Sequence, residues 1–436
     1  MRNKVATLKR LLGALLVPSQ VGYAGATSTA SDARDVFTRW RRGESLLDGS
    51  HIAEYERALS DYYGGLHAIT FGAGRMALYA ILKAMRLQDG DEIICPGYTC
   101  IVTPNAIRFA GLKTVYADVS RDDFNVLPEA VEKAITPRTR AILAQHTFGI
   151  ACDMDALGGI SRRHGIPIVE DGAHAIGARW DGQLLGRFGY AAFYSTEGSK
   201  MFSTERGGFA VTGDADLAQR IRVIQEESEF RSEAGERACL LRWCYRAAFV
   251  GNPRWGPRVQ VAEFLLKRLR LPGVRGILDY SAQDYADEVA GRRVKPYPAR
   301  LPNLMAYAGL LQLRRLEEDL AHRRRLAVFL EERLPPMGAK VAVYDPRRAS
   351  PSWVRFPFVV ADREPWASAL RAAGLVPGVW LNDPLHPRGS DWQKAGYERG
   401  MCPNAEYLSE HILNVPVDRR VSIGRLQRWL GVCDHG

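Results

Sequence analysis

From about residue 50 the chain alternates short apolar runs with stretches whose apolar positions recur at helical spacing. "HAITF" runs into "GAGRMALYAILKAM", and "DEIICPGY" runs into "TPNAIRFAG". "KTVYADV", "RAILAQH" and "PIVEDGA" follow, at intervals that each leave room for a helix. Apolar, β-branched runs separated by amphipathic stretches predict a mainly parallel α/β sheet with helices on both faces. Past residue 215 the pattern turns helical, and "LPNLMAYAGLLQLRRLEEDLAHRRRLAVFLEERL" reads as two helices. A shorter α+β region is predicted from "WVRFPFVV" to the C-terminus.

At 436 residues the chain exceeds the ~250–300 at which one core stops growing, so more than one domain is expected. The divisions read from the pattern are 1–45, an extension with a basic helix; 46–230, a large domain; 231–290, an insertion; and 291–436, a helical linker and small C-terminal domain. A formal net charge of +10 favours an acidic partner such as phosphate or a nucleotide. No finger, RNP-like or helix-turn-helix signature supports nucleic acid. The seven cysteines are scattered, form no CxxC pair and no metal-ligand cluster, and read as reduced thiols of a cytoplasmic protein. Val5, Leu8, Leu12, Leu15 and Leu16 share one helical face opposite basic side chains. The apolar run there is too short to span a bilayer, so a surface helix is expected, docked on the body or on an anionic membrane.

Three stretches carry candidate chemistry. Gly72 and Gly74 open a helix, and a glycine-rich turn at a helix start presents N–H groups and a positive dipole end to a phosphate. In "IPIVEDGAHA" a buried strand delivers Glu170 and Asp171 to its carboxyl end, the edge at which parallel α/β sheets bind ligands. On this stretch alone Asp171 reads equally as a helix cap. Lys200 lies one strand later in "YSTEGSKMFSTERGG", among small, hydroxylated and aromatic residues. A lysine in an enclosed setting is costly unless paired, neutralised or covalently used. Pyridoxal phosphate needs this set: a lysine to bond its aldehyde carbon, a carboxylate to keep its ring nitrogen protonated, and donors for its phosphate.

The chain resembles the DegT/DnrJ/EryC1/StrS family of pyridoxal-phosphate-dependent sugar aminotransferases from about residue 45 onward. The resemblance is carried by "YYGGLHAITFGAGRMAL", "GDEIICPGYTCIVTPNAI", "VEDGAHAIGARWDGQLLGRFGYAAFYS", "STERGGFAVT", "ARLPNLMAYAGLLQLRRLE" and "PLHPRGSDWQKAGYERGMCPNAEYLSEHILNVPV". It implies a fold-type-I enzyme and a homodimer with active sites between subunits. The implied reaction moves an amino group from L-glutamate to a keto-sugar on a nucleotide, the cofactor passing through its pyridoxamine form. Surface-polysaccharide or antibiotic-sugar synthesis is the implied context. By the same resemblance Lys200 carries the cofactor and moves the proton, Asp171 pairs with the ring nitrogen, and His174 lies beside the ring. Ser195, Gly74 and Arg75 hold the phosphate, and Tyr98, Arg300 and His386 face the substrate.

Four positions depart from the family pattern. Arg75 replaces a small hydroxylated residue and is expected to add a bidentate phosphate contact. Cys100 stands where an aromatic side chain usually stacks on the ring, so either something smaller packs there or Tyr98 leans in. "TERGG" puts Glu205 and Arg206 beside the site, and Pro298 removes a side-chain donor near Arg300. The insertion, with Trp243, Trp255, Phe264 and Leu269 among arginines and lysines, reads as extra helices buried on the body or at a dimer interface. The alternative is a membrane-surface patch acting with the basic N-terminal helix. Alternative functions are a sugar dehydratase, a transaminase for a lipid-linked or non-sugar ketone, and an idle sensor or scaffold on the same fold. Dehydratases of the family carry histidine at the lysine position, so Lys200 speaks against that reading.

Overall fold

The computed structural model describes residues 21–22, 27–252, 255–256, 258–259 and 282–433. The expected N-terminal surface helix, with Phe264 and Leu269 of the insertion, lies outside the described residues. The first ten strands are β1 (His67–Phe71), β2 (Glu92–Pro96), β3 (Thr99–Cys100), β4 (Lys113–Ala117), β5 (Thr139–Gln145), β6 (Ile168–Asp171), β7 (Arg179–Trp180), β8 (Gln183–Leu184), β9 (Ala191–Ser195) and β10 (Gly208–Thr212). Seven of them form one sheet in the order β1-β10-β9-β6-β5-β2-β4. β9, β6, β5, β2 and β4 pair in parallel, whereas β10 runs antiparallel to both neighbours. The mainly parallel sheet read from the sequence is therefore observed, with one reversed strand near its edge.

Local chemistry sets the helix ends. In Met154–His164 the Asp153 carboxylate accepts from the Ala156 N–H at 3.0 Å, and basic residues fill the last turn. Gly165, at φ 65°, ends that helix in the left-handed conformation. Helix Gly74–Ala84 is buried almost throughout, because it is wedged between the sheet and neighbouring helices. Its apolar run therefore goes all the way round instead of forming a stripe.

The two helices expected after residue 300 are Asn303–Leu313, nearly all of it buried, and Leu316–Arg333. The C-terminal region adds β11 (Lys340–Val341), β12 (Ala349–Ser350), β13 (Phe356–Val359), β14 (Leu385–His386) and β15 (Ile412–Val415). β11, β13 and β15 make a small antiparallel sheet backed by helices Arg363–Ala372 and Ile423–Cys433. Two short pairings tie this region to the large domain: β14 runs parallel to β3, with His386 opposite Cys100, and β12 runs antiparallel to β7.

The insertion begins on the body of the protein. Helix Glu233–Tyr245 is capped by Ser232, packs on helix Ala30–Arg41 and continues into a π-helical turn at Arg246–Val250. Trp243 is 1% exposed and its indole N–H donates to the Ser203 carbonyl at 2.7 Å. The membrane-surface reading of this tryptophan is thereby corrected: burial against the Ala30–Arg41 helix and a backbone hydrogen bond occupy it. Trp255 is exposed. Among the described residues no helix is long and apolar enough to cross a membrane.

Candidate active site

A cavity of about 470 Å³ opens at the carboxyl ends of β6 and β9. Gly74, Arg75, Cys100, Asp171, His174, Ser195, Lys200 and His386 all line it, so the structure gathers eight of the ten expected site residues. Tyr98 and Arg300 are not among the lining residues. Tyr98 is fully buried in the core, which corrects the expectation that it leans toward the site. Arg300 instead pairs with Asp48 at 3.2 Å and lies over the Phe230 ring.

The floor of the cavity is fixed by close backbone packing. Strand β9 ends at Ser195, directly beside the start of helix Gly74–Ala84. A side chain at Gly74 would meet the Tyr194 carbonyl at 2.8 Å and Ser195 Cβ at 2.9 Å. A side chain at Gly208 would strike the Gly74 backbone. Ala73, the residue before the helix, offers no side-chain cap. An uncapped helix start beside a serine hydroxyl suits a phosphate.

Strand alternation separates the two acids of "VED". Glu170 turns into the protein, where it accepts from the N–H groups of Gly186, Phe188 and Gly189 and lies 3.0 Å from His146 Nε2. It is structural. Asp171 faces the cavity, and its Oδ1 accepts from the Ala173 N–H at 2.9 Å. No helix begins there, so Asp171 is not a helix cap. Burial raises its pKa to about 6, against the pull of the Ala173 N–H, Lys200 and His146.

Lys200 sits with Nζ 4.1 Å from the Trp380 ring centroid. Burial lowers its pKa to about 8, opposed by Glu197, Cys100 and Asp171. His174 Nδ1 accepts from the Phe148 N–H at 3.2 Å, which leaves the ring proton on Nε2. Burial, then Lys200, Arg355 and His386, hold the ring well below its usual pKa, and it stays neutral. His386 is pushed down to about 3, first by burial and then by Arg355 and Lys200. Its Nδ1 donates to Asn382 Oδ1 at 3.0 Å.

Arg75 departs from expectation. Its Nε edge is engaged by Glu288, a buried acid of helix Ala282–Val289, instead of being turned bidentately to the phosphate position. Cys100 lines the cavity as expected, and burial raises its thiol pKa. Glu205 and Arg206 also line it, as "TERGG" implied, and Glu205 adopts φ 58°.

Sequence reasoning missed several lining residues. Trp380 packs against the His174 ring at 4.3 Å and carries the Arg355 guanidinium 4.0 Å from its own ring. Gln145 receives the Thr99 hydroxyl at 2.5 Å and donates to the Tyr98 carbonyl at 2.8 Å. Arg242, Arg246, Tyr285 and Glu288 come from the insertion. The only local signal for them was the spacing of Arg242 and Arg246, one helical turn apart in "RWCYR".

A mainly parallel seven-stranded sheet bearing a strand-end aspartate, a later lysine and an uncapped glycine helix start at one edge defines a fold-type-I pyridoxal-phosphate enzyme. The chain belongs to the DegT/DnrJ/EryC1/StrS aminotransferase family, which it matches over residues 28–238 and 264–430. The break between those segments falls inside the insertion. The chain is 31% identical over 294 residues to GDP-perosamine synthase of Caulobacter vibrioides, covering 67% of this chain and 64% of that protein. It is 31% identical over 268 residues to L-glutamine:2-deoxy-scyllo-inosose aminotransferase of Streptomyces fradiae, covering 58% and 63% of the two chains. The matched stretches thus span under two thirds of either relative. Spr1654 of Streptococcus pneumoniae, solved in PLP-form and PMP-form, superposes with a TM-score of 0.72 at 19% identity over 95% of this chain and 98–99% of its own. That likeness concerns the fold.

The family's cofactor is pyridoxal 5′-phosphate, and the residues present fit it. The glycine cradle at Gly74, which no side chain could enter, beside the Ser195 hydroxyl suits the phosphate. The buried Asp171 carboxylate suits a protonated ring nitrogen, and Lys200 has the depressed pKa that covalent attachment needs.

Proposed function

We propose that this chain is an aminotransferase that moves an amino group from L-glutamate to a keto-sugar carried on a nucleotide. The convergence of Lys200, Asp171 and the Gly74 cradle in one cavity carries the reading, and membership of the aminotransferase family supports it. The cofactor, when bound, supplies an electron sink for negative charge on the carbon that gains or loses the amino group. The chain's own residues do the rest. Ser195 and the N-terminal turn of helix Gly74–Ala84 hold the phosphate. Asp171, forced to choose between an unfavourable buried charge and a cationic partner, keeps a ring proton in place opposite it. His174, its proton on Nε2, would donate to the cofactor's hydroxyl. Lys200, whose amine is about half neutral near pH 8, is the base that would carry the proton at its Nζ.

The reading extends to a homodimer in the cytoplasm, and the seven free cysteines suit a reducing compartment. The nucleotide is favoured by the net charge of +10 and by the relative named for GDP-perosamine. The relative named for L-glutamine and 2-deoxy-scyllo-inosose makes a cyclitol ketone and a glutamine donor the second reading. Enzyme loaded with the aminated cofactor is to be offered a panel of nucleotide keto-sugars and 2-deoxy-scyllo-inosose. Return of the pyridoxal absorption with one nucleotide keto-sugar is the expected result. Return only with the free cyclitol selects the second reading, and no return with any ketone overturns both.

A further inference from the structure

Lys200 comes from the turn after β9, but the surface its amine lies on belongs to another part of the chain. Trp380 stands in the loop before β14, and its half-buried ring lines the cavity. Lys200 Nζ lies 4.1 Å, the Arg355 guanidinium carbon 4.0 Å and the centre of the His174 ring 4.3 Å from the centre of that ring. At such separations each sits against a face of the indole, since a neighbour at the rim stands farther from the centre.

The ring is held where it is. Leu381, the next residue, lies at φ 60°, a left-handed conformation that a residue other than glycine keeps only when its surroundings enforce it. The Trp380 carbonyl accepts from Asn414 Nδ2 at 3.4 Å, and Asn382 Oδ1 accepts from His386 Nδ1 at 3.0 Å. Arg355, 6% exposed, backs the indole.

Holding a phosphate or a ring nitrogen does not call for an aromatic face against the lysine amine, and an aliphatic side chain would shield that amine equally. What the indole adds is a preference for charge: its quadrupole attracts an ammonium far more than a neutral amine. Burial acts in the opposite sense and favours the amine. A group that accepts a proton and then returns it needs both forms within reach. Lysine's four-carbon stem is flexible, so the proton-bearing form also needs a fixed place to stand.

We propose that Trp380 is a positioning residue for Lys200: the indole face receives the lysine's ammonium while it carries the proton, and the same ring sets the plane of His174. The inference rests on the aminotransferase reading above and deepens it, since it names what steadies the proton carrier.

The test compares the parent with W380F and W380L, first as cofactor-free protein with no substrate present. Acetylation of Lys200 is followed against pH by peptide mass spectrometry. Glu197, Cys100 and Asp171 also favour the ammonium, Arg355 opposes it, and the neutral His174 and His386 rings lie nearby; all of them stay in these variants. Loss of the cation–π contact is expected to lower the Lys200 midpoint by about one pH unit in W380L and by less in W380F. An unchanged midpoint in W380L overturns the inference. So does a raised one, which would mean that the ring only kept water out. Should W380L fail to fold, W380F decides: a midpoint below the parent's supports the inference, and one at or above it does not survive.

In the holoenzyme W380L is expected to turn over about tenfold more slowly with little change in KM, because the ring meets the lysine and not the substrate. W380F is expected to recover most of that rate. A raised KM at unchanged kcat would make Trp380 a substrate contact and overturn the inference. The midpoint is read without donor or ketone, so the two readings fail separately. A shifted midpoint in a protein that aminates no ketone refutes the aminotransferase reading and leaves the hold on Lys200 standing.

Discussion

Lys200 owes its chemistry to its surroundings: it is half-buried against the Trp380 ring in the cavity, and its pKa falls from 10.5 to about 8. In cofactor-free protein, acetylation of Lys200 followed by peptide mass spectrometry should rise with a midpoint near pH 8. A midpoint near that of ordinary surface lysines would contradict the burial. Asp171 shows the opposite sign. Its carboxyl keeps a proton to about pH 6 in the cofactor-free fold, whereas the unfolded chain releases it near 3.8. The folded state thus binds the extra proton between those values, so stability falls as pH rises through the window, and the cost is fully present above pH 6. Cofactor-free Asp171→Asn should therefore be more stable than its parent at pH 7–8, by up to about 3 kcal/mol for a shift of about two units, and the difference should vanish below pH 4. The same substitution in the holoenzyme should lower turnover roughly 100-fold or more, because a charge facing the ring nitrogen is lost. Turnover within about threefold of the parent would leave Asp171 a purely structural residue. Stability given up for a functional buried acid is the expected direction of this trade.

At the scale of elements, helix Glu233–Tyr245 is anchored by Trp243, whose ring is buried and whose N–H is satisfied by Ser203. Trp243→Ala should cost about 3–5 kcal/mol in equilibrium denaturation, the usual range for emptying a buried aromatic site. A cost below about 1 kcal/mol would mean the helix is not docked as described. Asp171, Lys200 and Gly74 were legible in the sequence because each sits in a short local pattern: a strand end, a turn after the next strand, a glycine helix start. The alternation of strands and helices was legible for the same reason, since periodicity is local. Trp380 was not. It reaches His174 from a loop that precedes β14, and the β14–β3 pairing and Asn414 of β15, both distant in sequence, hold that loop at the cavity. Arg242 and Arg246 were not singled out, because helical spacing shows that two residues share a face but not what the face meets. Tyr98 failed in the reverse direction: nearness in sequence to Cys100 suggested the site, yet Tyr98 lies in the turn before β3 and its ring packs into the core.

On the scale of the whole molecule, the proposed homodimer is checked by light scattering, which should return about twice the chain mass of 48.5 kDa, with a value near a single chain mass ruling it out. The cavity itself has two kinds of wall. Its floor is welded into the sheet: Gly74, Gly208 and Ser195 touch through backbone, so almost any substitution there displaces a strand. On its far side Arg242 and Arg246 come from the stretch that interrupts the match to the family, and Tyr285 and Glu288 from the segment that resumes it. Inherited change is therefore channelled. A change confined to the stretch that bears Arg242 and Arg246 would reshape one wall of the cavity and leave the Gly74–Ser195 floor in place. New specificity can then arise in single viable steps, each leaving a folded protein with its reactive lysine in place.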